Sequence, residues 1–324
     1  MTPKVSIVTP LYNSSPHIER TLDSVLAQTR VDWEAILVDD GSTDDTRRVV
    51  EPYLRDPRFS YTQQRNQGIA GARNTGIRAA RGDWVCLLDH DDRWLPTKLE
   101  RQLAFTEAHG LDISATDAVV VQDEARRRYS DHFTPEVLRD LGRSPGEDSV
   151  ALFRLLIQGN FLCASSVMIR RSCFDRVGLL DAQCAPADDY EMWLRCMPEA
   201  RIGYLHEPLI EYYLHQHNYS HDQFRMIRKE LYALRKTRSA MASTSREYRD
   251  LLSQRIRQLS RSTARAYLDE YHRLTRQGPL SEAFPFLWKA ARLAPAEVFP
   301  PRRLLAAFKH GARAGFNSRK KGRM

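Results

Sequence analysis

The sequence predicts an α/β protein: a Rossmann-like, mostly parallel sheet flanked by helices, followed by a basic helical extension. Three observations predict it. The first hundred residues alternate short β-rich apolar runs with segments of helical period, the pattern of βαβ units. Polar clusters follow three of those runs, at Tyr12-Asn13, Asp39-Asp40 and residues 89–92. Beyond residue 221 the texture changes to long patterns rich in Arg, Leu and Ala.

Each element follows from local chemistry. Residues 4–9 (KVSIVT) form a strand. Ser15 is placed to cap a helix with Pro16 at its first position, and Ile18, Leu22, Val25 and Leu26 line one face at helical spacing. Residues 35–38 (AILV) form the second strand, after which Ser42 or Thr43 can cap a helix whose first turn holds Asp44 and Asp45. A short strand at 59–63 precedes a helix over 69–80, stopped by Gly82. Residues 84–88 (WVCLL) form a strand that runs directly into Asp89-His90-Asp91-Asp92. Further strands are expected at 111–121 and 161–170, with a helix at 150–158 between them. In the last third, Pro279, Pro285, Pro295, Pro300 and Pro301 are expected to break the chain into short helices.

Composition narrows the class. The chain has 324 residues, 42% hydrophobic and 28% charged, enough for one large core or two smaller ones. Five cysteines without a CxxC pair read as reduced thiols, neither a zinc cage nor a disulfide framework. No stretch reaches about 18 apolar residues, and MTPKVSIVTP reads as a strand instead of a leader, so the expected place is the cytoplasm. The net charge of +8 hides a division. Residues 221–324 hold 24 Lys and Arg against 8 Asp and Glu, a balance of +16, while residues 1–220 hold 25 against 33, a balance of −8. The expected domains are therefore 1–220 and a basic helical region, 221–324.

In an open parallel sheet the C-terminal strand ends share one edge, and ligands bind in the crevice outside it. Three polar clusters in register on that edge point to a site. In LLDHDD the close carboxylates Asp89, Asp91 and Asp92 repel unless solvent, protonation or a cation intervenes, and Mg²⁺ or Mn²⁺ would relieve them. The bland alternative is a solvated loop of capping aspartates before Pro96. VDDGSTDDT at 38–46 offers carboxylates to a base N–H or a ribose hydroxyl, or is an ordinary capped βα turn. Thr9-Pro10-Leu11-Tyr12-Asn13 adds a rigid turn and an aromatic face. Arg73, within NQGIAGARN, is placed to pair with a diphosphate, or is a solvated arginine at a helix start.

Together VSIVTPLYN, ILVDDGSTDDT, NQGIAGARNTGI, GDWVCLLDHDDRWLP, SSVMIRRSCFDRVG, ADDYEMWLR and YYLHQHNYS resemble, in this order, the glycosyltransferase family 2 enzymes. The resemblance covers roughly residues 4–220. It implies the GT-A fold and an inverting, metal-dependent transfer of a sugar from a nucleotide-sugar donor, such as a UDP-sugar, to an acceptor hydroxyl. It places Asp39 or Asp40 on the nucleotide base, lines the nucleotide pocket with Pro10, Tyr12, Asn13 and Arg73, and sets Asp89 near ribose and sugar. Asp91 matches the metal-binding carboxylate of the DxD pair, holding Mn²⁺ or Mg²⁺, and His215 matches the histidine that approaches the metal or diphosphate. Read alone, a histidine among His206, His215, His217 and His221 is a surface residue.

The catalytic base of the family is the Asp of a Glu-Asp pair, and here the pair reads Asp188-Asp189. Asp189 takes the base position; Asp188, one methylene shorter than the usual Glu, is the fallback. Without the resemblance, the segment is the acidic N-terminus of an amphipathic helix with Trp193 in the core.

The basic region interleaves Phe284, Phe286, Leu287 and Trp288 with Pro and cations, and sets Leu304, Leu305 and Phe308 near Arg302, Arg303 and Lys309. Either it is a solvated helical appendage, or it attaches the protein to an anionic membrane surface, which suits a glycan or lipid-linked acceptor. No stacking motif of a nucleic-acid fold accompanies the charge. A dehydrogenase is disfavoured because the first βα turn, PLYNSSP, lacks GxGxxG. The remaining rival is a nucleotide-sugar-binding scaffold on the same fold that has lost catalysis.

Overall fold

A computed structural model describes residues 2–123, 125–132, 149–215, 223–241 and 246–298. Two compact units are present, Met1–Leu252 and Ser253–Met324.

The first unit is built on a sheet of nine strands among the described residues. They are β1 (Val5–Leu11), β2 (Trp33–Asp39), β3 (Phe59–Gln63), β4 (Trp84–Leu87), β5 (Arg93–Trp94), β6 (Ile113–Gln122), β7 (Ala125–Arg128), β8 (Met168–Arg170) and β9 (Ile202–Leu214). Their order is β3-β2-β1-β4-β8-β6-β9-β5, with β7 paired to β6. The expected parallel sheet is the half β3-β2-β1-β4. Beyond it β8 runs antiparallel to β4 and β6, while β6 and β9 are parallel. β1 and β2 are buried along their whole length, as expected of strands covered on both faces.

Helices α1 (Ile18–Leu26), α2 (Thr46–Val50), α3 (Gly68–Ala79) and α4 (Lys98–Ala108) connect these strands. Ile18, Leu22 and Val25 of α1 join Ile7, Leu37, Trp84 and Cys86 in one core cluster. Each such side chain contributes about 1.5–3 kcal/mol on full burial. Gly76 sets the spacing of α3 on the sheet, since a Cβ there would lie 2.3 Å from Val8 Cγ1. Later come α5 (Ser149–Gln158), α6 (Ser172–Val177), α7 (Asp188–Cys196) and α8 (Gln223–Ala240), and α8 packs on α7 within this unit.

Four local expectations change. α1 starts at Ile18, not at Pro16: the Ser14 carbonyl accepts from His17 and Ile18 N–H, and no side chain caps the helix. Ser15 is drawn away, its N–H donating to Asp44 Oδ2. Asp44, not Ser42 or Thr43, takes the Thr46 N–H before α2, because both hydroxyl residues face Asn13. The strand expected over 161–170 shrinks to β8, since 164–166 is a 3-10 turn whose Ser165 and Ser166 carbonyls accept from Trp94 Nε1 and Gln102 Nε2.

In the second unit, α9 (Arg246–Gln277), which begins in the first, is followed by α10 (Leu280–Leu293) and α11 (Pro295–Val298). Ala283 and Ala290 are buried, and Phe286 sits 6.1 Å from the Tyr267 ring. Leu280, Phe284 and Trp288 stand exposed. Pro285 lies inside α10 instead of breaking it; the hydrogen bond it removes is the one to the Ser281 carbonyl, and both residues are on an exposed face. Pro300, Pro301, Leu304, Leu305, Phe308 and the cations beside them lie outside the described residues. Among those described, no helix is long and apolar enough to cross a membrane.

Candidate active site

The site forms where β1 and β4 part. Val8 is the last β1 residue in register with β4, opposite Leu87, and the Val8 carbonyl still accepts from Leu88 N–H. Pro10, two residues on, faces the same side, where β4 has already left; a residue without an N–H costs no ladder bond there. The strand order also reverses at this point, the arrangement that opens a crevice at the carboxyl ends.

On the β2 side the two aspartates are buried and held. Asp39 Oδ1 accepts from Ser42 N–H at 2.8 Å, and its Oδ2 accepts from the Tyr61 hydroxyl. Asp40 Oδ1 accepts from Gln64 Nε2 at 2.7 Å and from Gln67 N–H at 2.8 Å. Gly41 turns the chain at φ +82°, a conformation glycine adopts freely. Asn13, at φ 49°, ties the β1 loop to this turn: Thr43 N–H donates to its Oδ1 at 2.8 Å. Tyr12, 46% exposed, presents its ring at the rim.

Arg73 is the centre of the acidic half. It projects from α3 and is only 3% exposed, so it is not the solvated arginine of the bland reading. Nη2 donates to Asp89 Oδ1 at 2.7 Å and Nη1 to Asp188 Oδ2 at 3.1 Å. One guanidinium thereby joins the loop after β4 to the first turn of α7. Asp188 is fully buried, and its Oδ1 has no partner among the described residues. Asp189 beside it accepts from Tyr190 N–H through Oδ1 at 2.6 Å and from Asn160 Nδ2 through Oδ2 at 3.2 Å. Burial, with Asp188 adding to it and Arg73 opposing, pushes the Asp189 carboxyl up to about 7.

The DHDD loop divides its carboxylates by task. Asp92 is fully buried and structural: Ser165 Oγ donates to Oδ2 at 2.5 Å and Tyr213 N–H to Oδ1 at 3.2 Å. Burial, with Asp91 and Asp89 near, raises its carboxyl well above the usual range. Asp91 instead faces His215 at the end of β9, with Nε2 2.9 Å from Asp91 Oδ2. His17 stacks on His215, centroids 4.9 Å apart and planes 20° apart. Thr21 donates to the His90 and Asp92 carbonyls and Arg20 to that of Asp91, so α1 fixes the loop's backbone.

A carboxylate oxygen and an imidazole nitrogen within 3 Å of each other are a donor set that Mn²⁺ accepts and Mg²⁺ tolerates. Among the described residues no three His, Cys, Asp or Glu side chains form a cage, so an ion here needs oxygens from a ligand. His206 lies back along β9, and His217 and His221 fall outside the described residues.

Asn160, His17, Ser165 and Tyr213 were not singled out by sequence. Asn160 carries only a Gly-Asn turn signal after α5, whereas His17 gains significance from His215, and Ser165 and Tyr213 from Asp92, partners 73 or more positions away. All five cysteines are free thiols.

A family-wide sequence model, Glycosyl transferase family 2, matches residues 6–178. The chain is 29% identical over 214 residues to the uncharacterized glycosyltransferase RP339 of Rickettsia prowazekii, 66% of this chain and 65% of that protein, so it spans just under two thirds of that relative. It is 29% identical over 236 residues to TuaG of Bacillus subtilis, named for teichuronic acid biosynthesis, 72% of this chain and 88% of that one. The S. aureus TarS fragment 1-349, solved with UDP-GlcNAc, superposes with a TM-score of 0.63 at 20% identity, over 91% of this chain and 82% of that one. The Pyrobaculum calidifontis mannosyltransferase PcManGT, solved with GDP-Man and Mn²⁺, gives 0.62 at 20% identity, over 96% and 81%. These likenesses show the GT-A fold that the sequence motifs imply. With the family match extending over more than half its length, the chain belongs to glycosyl transferase family 2.

Proposed function

We propose that this chain is an inverting glycosyltransferase that moves a sugar from a nucleotide sugar, a UDP-sugar, to an acceptor hydroxyl in polysaccharide or lipid-linked glycan synthesis. The observation that carries the reading is the link made by Arg73, which joins Asp89 of the DxD loop to the Asp188-Asp189 pair. A donor-side carboxylate and a carboxyl poised near neutrality thus belong to one buried assembly. TuaG, named for polysaccharide synthesis, and TarS, solved with UDP-GlcNAc, support the substrate class.

In this reading the nucleotide lies along Pro10, Tyr12 and Asn13, with the base at Asp39 or Asp40 and the ring of Tyr12 offering a stacking face. Asp89 stands by the ribose and sugar. Arg73 adds positive charge beneath the diphosphate while keeping Asp89 in place. Asp91 and His215 would hold Mn²⁺ or Mg²⁺, which when bound neutralises charge on the leaving diphosphate. Asp189 takes the proton of the acceptor hydroxyl as its oxygen attacks the anomeric carbon from the face opposite the diphosphate, so one displacement inverts that centre. Asp188, fully buried against Arg73, is out of an acceptor's reach and serves to hold the guanidinium; burial pushes its carboxyl up, with Arg73 opposing. The basic region, 221–324, brings the enzyme to the anionic inner face of the membrane, where a lipid-linked acceptor resides.

The test is a panel of nucleotide sugars with Mn²⁺ or Mg²⁺, read by release of nucleoside diphosphate. Hydrolysis of one donor, abolished by chelator and by Asp189→Asn, is the expected result. Binding without turnover across the panel would favour the scaffold reading.

A further inference from the structure

We propose that Asn160 is the positioning residue for Asp189, fixing the orientation of its carboxylate and stabilising the ionised form. This rests on the reading of Asp189 as the base. Three contacts hold Asn160. Its carbonyl accepts from the Tyr129 hydroxyl at 3.2 Å, its Oδ1 accepts from Leu162 N–H at 3.2 Å, and its Nδ2 donates to Asp189 Oδ2 at 3.2 Å. The contact to Leu162 decides the amide's orientation, because a backbone N–H requires the oxygen on that side and leaves the nitrogen facing Asp189.

The consequence is geometric. Tyr190 N–H takes Asp189 Oδ1 and Asn160 takes one lone pair of Oδ2, so the carboxylate cannot rotate freely and its remaining Oδ2 lone pair keeps one direction. Asn160 itself is exposed, on the turn following α5, so this support comes from the solvent side while Arg73 and Asp188 lie on the buried side. The charged and titratable groups around Asp189 are Asp188, Arg73 and Asp89, with the Tyr129 hydroxyl and the Cys163 thiol also near. The carboxylates and burial favour the protonated acid, and Arg73 opposes them. An N–H donated to the anion acts in the same direction as Arg73.

The test uses the full chain with ¹³C-labelled Asp carboxyls, titrated by NMR, the Asp189 signal being the one lost in Asp189→Asn. Asn160→Ala is expected to raise the Asp189 midpoint by about half a pH unit. Asn160→Asp, which swaps the donor for a like charge, should raise it further. Tyr129→Phe, which frees the Asn160 backbone, should shift it the same way by less. An unchanged midpoint in Asn160→Ala would overturn the proposal. Because this readout needs no substrate, its failure is separable from that of the base assignment, which fails if Asp189→Asn retains turnover.

Discussion

Arg73 and Asp188 stand 115 positions apart in the chain, yet Arg73 Nη1 donates to Asp188 Oδ2 at 3.1 Å with both side chains buried. Neither side chain reaches water, and while Arg73 also holds Asp89, Asp188 has Arg73 as its one side-chain partner among the described residues. Removing one partner of a buried pair typically costs about 3–5 kcal/mol because the survivor remains buried and uncompensated. Arg73→Met should therefore lower unfolding free energy by about 3 kcal/mol in urea titration. Arg73→Lys keeps the charge but cannot fork between Asp89 and Asp188, so it should fall between wild type and Arg73→Met. A loss below about 1 kcal/mol for Arg73→Met would show that Asp188 is protonated or hydrated instead of ion-paired.

Asp189 makes an opposite prediction for stability and for turnover. Its carboxyl titrates near 7 in the folded protein, above its unfolded value, so the native state holds a proton that the unfolded chain has lost. The stability it contributes is full below the unfolded pKa and is lost as pH rises through 7. Asp189→Asn should thus melt higher than wild type at pH 8, with the difference vanishing near pH 4. Turnover runs the other way: the wild-type rate should rise through an acid limb near pH 7, while Asp189→Asn loses transfer and keeps nucleotide affinity. Near-wild-type turnover in Asp189→Asn sinks the base assignment.

How far these relationships were legible in the sequence depends on their range. The strand ends that carry Tyr12, Asp39 and Asp89 were readable, because β1, β2 and β4 are buried runs bounded by turn residues and their register puts those ends on one edge. The caps were not. Ser42 and Thr43 look like helix caps by type, but Asn13, 29 and 30 positions away, claims them. The same holds for residues 161–170, whose apolar β-branched texture reads as strand until Trp94 and Gln102 take the Ser165 and Ser166 carbonyls. Local propensity decides an element when no distant polar group competes for its backbone. Around the site such competition is the rule; His17 carries no local mark, and Asn160 only the Gly-Asn turn signal, which says nothing of Asp189.

The pair Asp91 and His215 predicts how nucleotide binding depends on metal. With Nε2 2.9 Å from Oδ2, both ligands can face one cation, and His17 stacked behind His215 limits the ring's swing. UDP titrated calorimetrically with Mn²⁺ should bind wild type at least about tenfold, or about 1.4 kcal/mol, more tightly than in chelator. Asp91→Ala and His215→Ala should each remove most of that gain and leave affinity in chelator unchanged. Equal UDP affinity with and without Mn²⁺ in the wild type would remove the metal from this site.

Leu280, Phe284 and Trp288 recur every fourth residue on α10 and are 66%, 62% and 55% exposed, while Ala283 and Ala290 turn inward. A stripe of that size facing water is unfavourable unless something apolar covers it. Residues 253–324 hold 16 Lys and Arg against 4 Asp and Glu, and Arg292 lies 4.5 Å from the Trp288 ring, the pairing of aromatic and cation that suits a lipid headgroup region. The protein should therefore pellet with vesicles of phosphatidylglycerol and phosphatidylcholine at low salt, and less with phosphatidylcholine alone. Raising the salt should weaken the attraction, since cationic contacts with anionic headgroups are screened. The triple change Leu280→Ser, Phe284→Ser, Trp288→Ser leaves every charge in place, so it should reduce pelleting while preserving its salt dependence. If the triple variant pellets like wild type, charge alone holds the protein and the stripe serves another contact. If the wild type stays in solution at low salt, the basic region does not bind membrane.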